Sequence, residues 1–439
     1  MEIQEVNNNL FSGNINSPEM FPALARLQAA PYIFNNNFGL DTLPSEPGIL
    51  VIRGARQYGK STWLEQQLKN TIIEFGAGTA FYLNGDDIAD RDSLHEKISE
   101  LLPLYHKDAK VCRLFIDEIT AIERWETVLK RLADKGLLSK ILVITTGSKA
   151  TDLRRGLEKL PGRKGKLKRS HYLFLPISFN EFYKKCHKKL GDNILIAYLL
   201  SSGSPIACSE LASTGRLPEY LIELVRDWIE GEIAATSRTR SALINIMSTL
   251  FRFACTPIGQ AKLARESGLA NNTVAANYIE ILNDLGCVTP SYPWDFQRKI
   301  LILRKPCKYH FTNLLSAVAY HPAKLRTCED FLKLSPMQQA PFYEWLIAQE
   351  IQRKASLENY SILEPLAFWE TKKNEIDFVD PNEQFIEVKR GKSSPLEFSW
   401  FDKQLPHVKL TVINQQSFST NNITGLTIED FLKNYTKCM

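Results

Sequence analysis

Long apolar runs are missing from this chain of 439 residues. None approaches the roughly 18 consecutive apolar residues that a membrane-spanning helix needs, so no membrane partner is expected. The opening residues, Met-Glu-Ile-Gln-Glu-Val-Asn-Asn-Asn, have neither the basic nor the apolar region of a secretory signal, and a cytoplasmic location is expected. Eight cysteines stand at positions 112, 186, 208, 255, 287, 307, 328 and 438, and none forms a CxxC pair. That scatter argues against a zinc or disulfide framework and for reduced, buried thiols. Internal repeats and low-complexity segments are also absent.

What is present is ordinary in bulk. The chain is 44% hydrophobic and 23% charged, as a soluble globular protein is. Its length exceeds what one core organises, which predicts two to four domains. The net charge is only +5, but it is unevenly spread. Arg154, Arg155, Lys159, Arg163, Lys164, Lys166, Lys168 and Arg169 crowd one stretch around the single acid Glu158, and Lys184, Lys185, His187, Lys188 and Lys189 follow. Such runs are commonly solvated faces, and beside a nucleotide site they also suit a DNA partner.

The nucleotide site is read from Gly54, Ala55, Arg56, Gln57, Tyr58, Gly59, Lys60, Ser61 and Thr62, which match the phosphate-binding P-loop letter for letter. Residues 49–53 before it read as a buried strand, and residues 62–69 after it as a helix start. In that setting the glycines let backbone N–H groups curl around phosphate oxygens, and the helix N-terminus adds partial positive charge. Lys60 is expected at the β- and γ-phosphates of ATP, and Ser61 on Mg²⁺. The strand at residues 111–116 ends in Asp117-Glu118: Asp117 for the Mg²⁺ shell, Glu118 to polarise the attacking water. The strand at 141–146 ends near Thr146 and Ser148, either of which could serve as a hydroxyl between these carboxylates and the γ-phosphate. Strands alternating with amphipathic helices from residue 48 to 178 predict a parallel sheet with crossover helices, preceded by an N-terminal arm over 1–47.

Residues 179–240 read as a helical lid. Residues 241–325 read as a winged helix: two helices around Gly268, the second capped by Asn271, then β-prone segments at 298–303 and 307–311. Its second helix is poorly basic, and Ala275, Ala276 and Asn277 offer little for base readout, which favours a lid role over DNA reading. Residues 326–439 read as a separate α/β domain. There Asp377 is followed ten residues later by Glu387-Val-Lys389. An Asp ending one strand and a Glu on the adjacent antiparallel strand converge on one divalent metal. Lys389, two positions on, points to the same face and could orient the attacking water. An exposed hairpin with a cross-strand Glu–Lys pair gives the same pattern.

These residues carry a resemblance. Arg53-Gly-Ala-Arg-Gln-Tyr-Gly-Lys-Ser, Ile116-Asp-Glu-Ile, Thr146-Gly-Ser148, Pro161-Gly-Arg163 and Leu175-Pro-Ile-Ser-Phe-Asn-Glu-Phe182 occur in that order. Together they resemble the prokaryotic AAA-type P-loop ATPases, related to archaeal ATPases and signalling (STAND-like) NTPases, that carry a C-terminal PD-(D/E)xK nuclease-like domain of unassigned function. By that resemblance Arg163 is a candidate arginine finger, which in trans would need a homo-oligomer, though it also belongs to the basic run. Pro218 matches a segment that contacts the base, with Arg216 standing where a second glycine is usual. Glu344 matches the helical acid that joins Asp377 and Glu387 on the nuclease metal, Mg²⁺ or Mn²⁺. The resemblance implies an α/β architecture: a P-loop NTPase parallel sheet with helical lid, a winged-helix domain, and a restriction-endonuclease-like domain. A complete P-loop set and the Asp377, Glu387 and Lys389 triplet in one chain lead to the expectation of a Mg²⁺-dependent ATPase whose nucleotide state regulates a metal-dependent DNA nuclease, in DNA processing or defence. The alternative is an ATP-gated switch that binds DNA or a partner protein through an inactive nuclease-like fold.

Overall fold

The computed structural model describes residues 2–147, 165–358 and 364–436. The chain divides into two compact units, Met1–Leu175 and Pro176–Met439. The first unit is an α/β fold around a five-stranded sheet of β1 (Gly48–Arg53), β2 (Ala80–Asn84), β3 (Cys112–Asp117), β4 (Ile141–Gly147) and β5 (His171–Leu173), ordered β2-β3-β4-β1-β5. Every neighbouring pair is parallel. All residues of β3 and β4 are buried, the continuous apolar pattern of strands covered on both faces. On one face Leu94 and Ile98 of α4 (Arg91–Leu101) and Trp125, Leu129 and Leu132 of α5 (Trp125–Asp134) pack onto Val51, Phe81, Leu114 and Val143.

The expected arm over 1–47 is part of this unit. A helix, α1 (Ile3–Ser12), lies against the edge strand β2. There Asn7 Nδ2 donates to Tyr82 O at 2.8 Å, and Asn7 Oδ1 accepts from Tyr82 N at 2.9 Å. One amide side chain thus satisfies a backbone pair that an open sheet edge would leave for another chain. Glu65, on α3 (Lys60–Phe75), accepts from Ala23 N at 3.2 Å and Leu24 N at 2.9 Å, tying the start of α2 (Pro22–Gln28) to the P-loop helix. No composition signal marks this docking, because it runs through two polar side chains.

In the second unit residues 179–240 form helices, beginning with α6 (Phe179–Leu190), whose Ser178 cap accepts from Glu181 N at 3.2 Å. Lys184, Lys185, Lys188 and Lys189 line its exposed face, while Phe179, Phe182 and Cys186 are buried. After α7 (Ile194–Ser201), α8 (Pro205–Thr214) and α9 (Glu219–Ala235) come α10 (Arg240–Arg252), α11 (Gln260–Glu266) and α12 (Asn272–Asp284). The α12 cap Asn271 accepts from Val274 N at 3.0 Å, and Ala275, Tyr278, Ile279 and Leu282 turn inward at helical spacing.

A strand that sequence patterning passes over follows: β6 (Val288–Asp295), which holds Pro290 and Pro293. Proline removes ladder donors and normally demotes a strand. Here β6 is nonetheless central, antiparallel to β8 (Lys308–Phe311) and parallel to β9 (Leu366–Glu370). The sheet continues through β10 (Glu375–Val379), β11 (Phe385–Val388), β12 (Leu410–Asn414), β14 (Ile423–Thr427) and β13 (Phe418–Ser419), with β7 (Ile300–Leu301) at the other end. The boundary expected between 325 and 326 therefore runs through one continuous sheet, because β6 bridges the two halves. Among the intervening helices are α13 (Leu314–Tyr320), α14 (Cys328–Leu332) and α15 (Pro336–Leu357), the last opened by a capping box in which Ser335 and Gln338 satisfy each other's backbone N–H.

Candidate functional site

Strand order builds the first site. In sequence the P-loop strand β1 and the acidic strand β3 are separated by β2; in space β4 lies between them. The carboxyl ends of β1, β3 and β4 therefore come together, and these carry the P-loop, Asp117-Glu118 and Thr146. In parallel α/β sheets, ligands bind at this edge. Gln57 and Gly59 have φ of +58° and +101°, the left-handed turns that curl the loop before α3 begins at Lys60. Lys60 is buried, and its Nζ donates to Gly54 O at 3.0 Å and Ala55 O at 2.9 Å. Burial lowers its pKa, opposed by the carboxylates of Glu118 and Asp117.

Thr146 is the hydroxyl at the acidic strand end. Its Oγ1 donates to Asp117 Oδ1 and accepts from Glu118 N at 3.1 Å. Glu118 adopts φ +46°, a left-handed conformation rare for this residue type and characteristic of functional sites. Gly85 leaves room for that turn, since a Cβ there would lie 2.3 Å from Glu118 O. A cradle of N–H groups, a lysine and a strand-end aspartate fits a nucleotide triphosphate with Mg²⁺. Ser148 and Arg163 lie outside the described residues. Pro218 belongs to the second unit, where it precedes α9.

The second site gathers four of the expected residues with one unexpected one. Extending the β10–β11 register by one pair sets Asp377 opposite Glu387. The two carboxylates brace each other's strands: Val388 N donates to Asp377 Oδ2 at 2.8 Å, and Asp377 N to Glu387 Oε2 at 3.3 Å. Lys389 Nζ lies 2.5 Å from Glu387 Oε1, on the shared face that period-two alternation predicts. Helix α15 brings Glu344 to the same cluster. The unexpected member is Lys308 of β8, whose side chain is 1% exposed. Its Nζ lies 2.6 Å from Glu375 Oε1, 3.5 Å from Asp377 Oδ1 and 3.7 Å from Glu344 Oε1. Burial disfavours that ammonium, but the Glu344, Asp377 and Glu375 carboxylates outweigh it and hold its pKa above the ordinary lysine range. In the sequence Lys308 reads as one more basic residue of a surface-like run. Only the pairing of β8 with β6 turns it inward. Four carboxylates against two ammonium groups leave a deficit of positive charge that a divalent cation suits.

Burial, reinforced by the Asp377 charge, pushes both Glu344 and Glu387 up to about 8 from the ordinary 4.5. An acid with a raised folded pKa holds more protons folded than unfolded between those values, so its contribution to stability is lost as pH climbs through them. Metal-free protein is expected to show a urea midpoint that falls from about pH 5 to about pH 8. Lys308, titrating above this window, does not reverse the sign. Urea melts in EDTA check this, and a midpoint rising across the interval contradicts it.

Comparison with known proteins bears on the first site. Residues 46–183 match the AAA domain. That stretch, similar to an AAA domain, contains the P-loop, Asp117-Glu118 and Thr146. The chain is 22% identical to an uncharacterized protein of Methanocaldococcus jannaschii over 426 residues, 91% of this chain and 88% of that one. Among solved structures, a Walker-type ATPase of Pyrococcus abyssi is similar at 14% identity and TM-score 0.42, covering 70% of this chain and 96% of that one. The ORC2 protein of Aeropyrum pernix is similar at 11% identity and TM-score 0.35, covering 78% and 98%. No described helix is long and apolar enough to cross a membrane.

Proposed function

We propose that the AAA domain hydrolyses ATP and that its nucleotide state regulates a metal-dependent DNA nuclease in the second unit. The observation that carries the reading is the convergence of Glu344, Asp377, Glu387 and Lys389 from one helix and two adjacent strands, in the same chain as a complete P-loop. Mg²⁺ would supply charge neutralisation at both the triphosphate and the scissile phosphodiester. In the AAA domain, Lys60 is placed to leave the carbonyls of Gly54 and Ala55 for phosphate oxygens. Ser61 and Asp117 are the candidate metal-shell residues, and Glu118 is the candidate to accept a proton from water. Thr146 holds Asp117 and the Glu118 backbone in register; Ser148 and Arg163, from the same expectation, are candidates for sensing the γ-phosphate and completing the site, Arg163 from a second copy of the chain. The P-loop residues 54–62 are the candidate nucleotide contacts. In the second unit, Asp377, Glu387 and Glu344 are the candidate Mg²⁺ or Mn²⁺ ligands, and Lys389 the group that orients water. The exposed lysines of α6 suit a DNA backbone or an acidic partner. The winged helix expected over 241–325 and the restriction-endonuclease-like fold expected over 326–439 belong to this reading, with β6 joining the two stretches in one sheet.

Purified protein with plasmid, Mg²⁺ or Mn²⁺, and no nucleotide, ADP or an ATP analogue is the test. Metal-dependent cleavage that changes with nucleotide and disappears in Asp377→Ala is expected. One observation favours a second reading: Lys308 holds an ammonium among the carboxylates expected to bind metal. In that reading the second unit is an inactive platform of an ATP-gated switch that binds DNA or a partner protein. Uncut plasmid under every nucleotide condition, with salt-dependent DNA affinity unchanged by Asp377→Ala, would select it.

A further inference from the structure

Beside Glu344 lies a further set of groups that the proposed reaction does not use. Helix α10 ends at Arg252, and three residues on Cys255 turns with φ +57°. Strand β8 carries His310 two residues after Lys308, so both face the same way. One ligand atom each from Cys255, His310 and Glu344 lies within 4.8 Å of the others. His310 Nδ1 is 3.7 Å from Glu344 Oε1.

Two features set this cluster apart from ordinary packing. His310 is fully buried, yet neither ring nitrogen has a hydrogen-bond partner; nor has Glu344 Oε1. Buried polar atoms are nearly always satisfied, and an imidazole with no hydrogen bond, facing a carboxylate oxygen that also has none, needs an explanation. Burial also keeps the imidazole neutral, the form that offers a lone pair to a metal. The Cys255 Sγ lies within 4.8 Å of a Glu344 carboxylate oxygen.

We propose that Cys255, His310 and Glu344 bind one zinc ion. The donor set decides the metal: a thiolate and an imidazole with a single carboxylate suit Zn²⁺, whereas Mg²⁺ and Mn²⁺ favour oxygen ligands. Tetrahedral bonds of roughly 2.0–2.3 Å put ligand atoms about 3.3–3.7 Å apart, a spacing His310 and Glu344 already have. Small side-chain rotations at Cys255 close the rest. On binding, the thiol loses its proton, and thiolate plus carboxylate balance the ion's two charges. Three protein ligands leave a fourth position; within the set His310 is buried, while Cys255 and Glu344 are both half-exposed. The missing CxxC spacing excludes a cysteine-cluster framework but not this site, whose ligands come from a turn, a strand and a helix. Because Glu344 has two oxygens, it can serve zinc through Oε1 and still belong to the proposed nuclease centre.

Cobalt(II) is the probe. Full-length protein stripped with EDTA and titrated with Co²⁺ is expected to develop a near-ultraviolet thiolate-to-cobalt band at one equivalent, which Zn²⁺ displaces. Cys255→Ser is expected to abolish that band, and Asp377→Asn to keep it. A wild-type protein without the band, or a band persisting in Cys255→Ser, overturns the proposal. Should Cys255→Ser fail to fold, X-ray absorption of the wild-type zinc protein decides: one sulfur scatterer is expected, and none overturns it. The proposal stands apart from the nuclease reading. Uncut plasmid with the cobalt band present rejects only the nuclease, and cleavage without the band rejects only the zinc site.

Discussion

ATP turnover falls by about 10²–10³-fold when Lys60 is replaced by alanine, the usual effect of deleting one preorganised electrostatic group at a reacting centre. The Lys60 ammonium is buried and lies 3.0 Å from Gly54 O and 2.9 Å from Ala55 O, at the floor of the loop where phosphate charge collects. Substitution removes the one side-chain cation that Gly54 and Ala55 hold there, while the backbone N–H groups that cradle phosphate remain. Nucleotide affinity is therefore expected to weaken less than turnover. Phosphate release and fluorescent-nucleotide binding measure the two separately. Full turnover in Lys60→Ala would place the hydrolytic site elsewhere. A thermal midpoint near that of wild type is the control, since the lost contacts run only to neighbouring loop carbonyls.

The second large effect is expected at Lys308. Replacing it with methionine keeps most of the volume but leaves Glu375, Asp377 and Glu344 without their shared cation. Breaking a buried ion pair from one side typically costs about 3–5 kcal/mol. The loss should be smaller at about pH 5, where Glu344 and Glu387 hold their protons, than at about pH 8, where they are losing them. Divalent cations should recover part of it by supplying the missing charge. Urea unfolding of both proteins at the two pH values, with EDTA or Mn²⁺, measures this. A loss independent of pH and metal would mean that Lys308 acts through its packing over Phe368, 5.1 Å from the ring centroid.

The two sites differ in how far local patterning reaches. The P-loop was legible because its residues are consecutive: one strand, one glycine turn and one helix N-terminus lie within residues 48–62. The hairpin of Asp377, Glu387 and Lys389 was legible for a related reason, since alternation along two adjacent strands places all three on one face. Glu344 had no such local signal and was reached only through a resemblance. Lys308, His310 and Cys255 were invisible at that level. A buried lysine reads as a surface residue until its carboxylate partners are known, and those partners lie between 36 and 69 positions away. The strand β6, which carries β8 to the cluster, was masked by its two prolines.

The sequence by itself determined the nucleotide unit: the P-loop, the acidic strand end, and the alternation that yields a parallel sheet. Those features follow from short-range sterics and hydrophobic periodicity, which act within a few residues. Tertiary structure alone decided that β4 stands between β1 and β3, bringing Thr146 to Asp117. It also decided that Asn7 closes the sheet edge, and that β8 turns Lys308 and His310 inward. These are matters of strand order and burial. Both are set by which surfaces exclude water together, and no window along the chain contains that information.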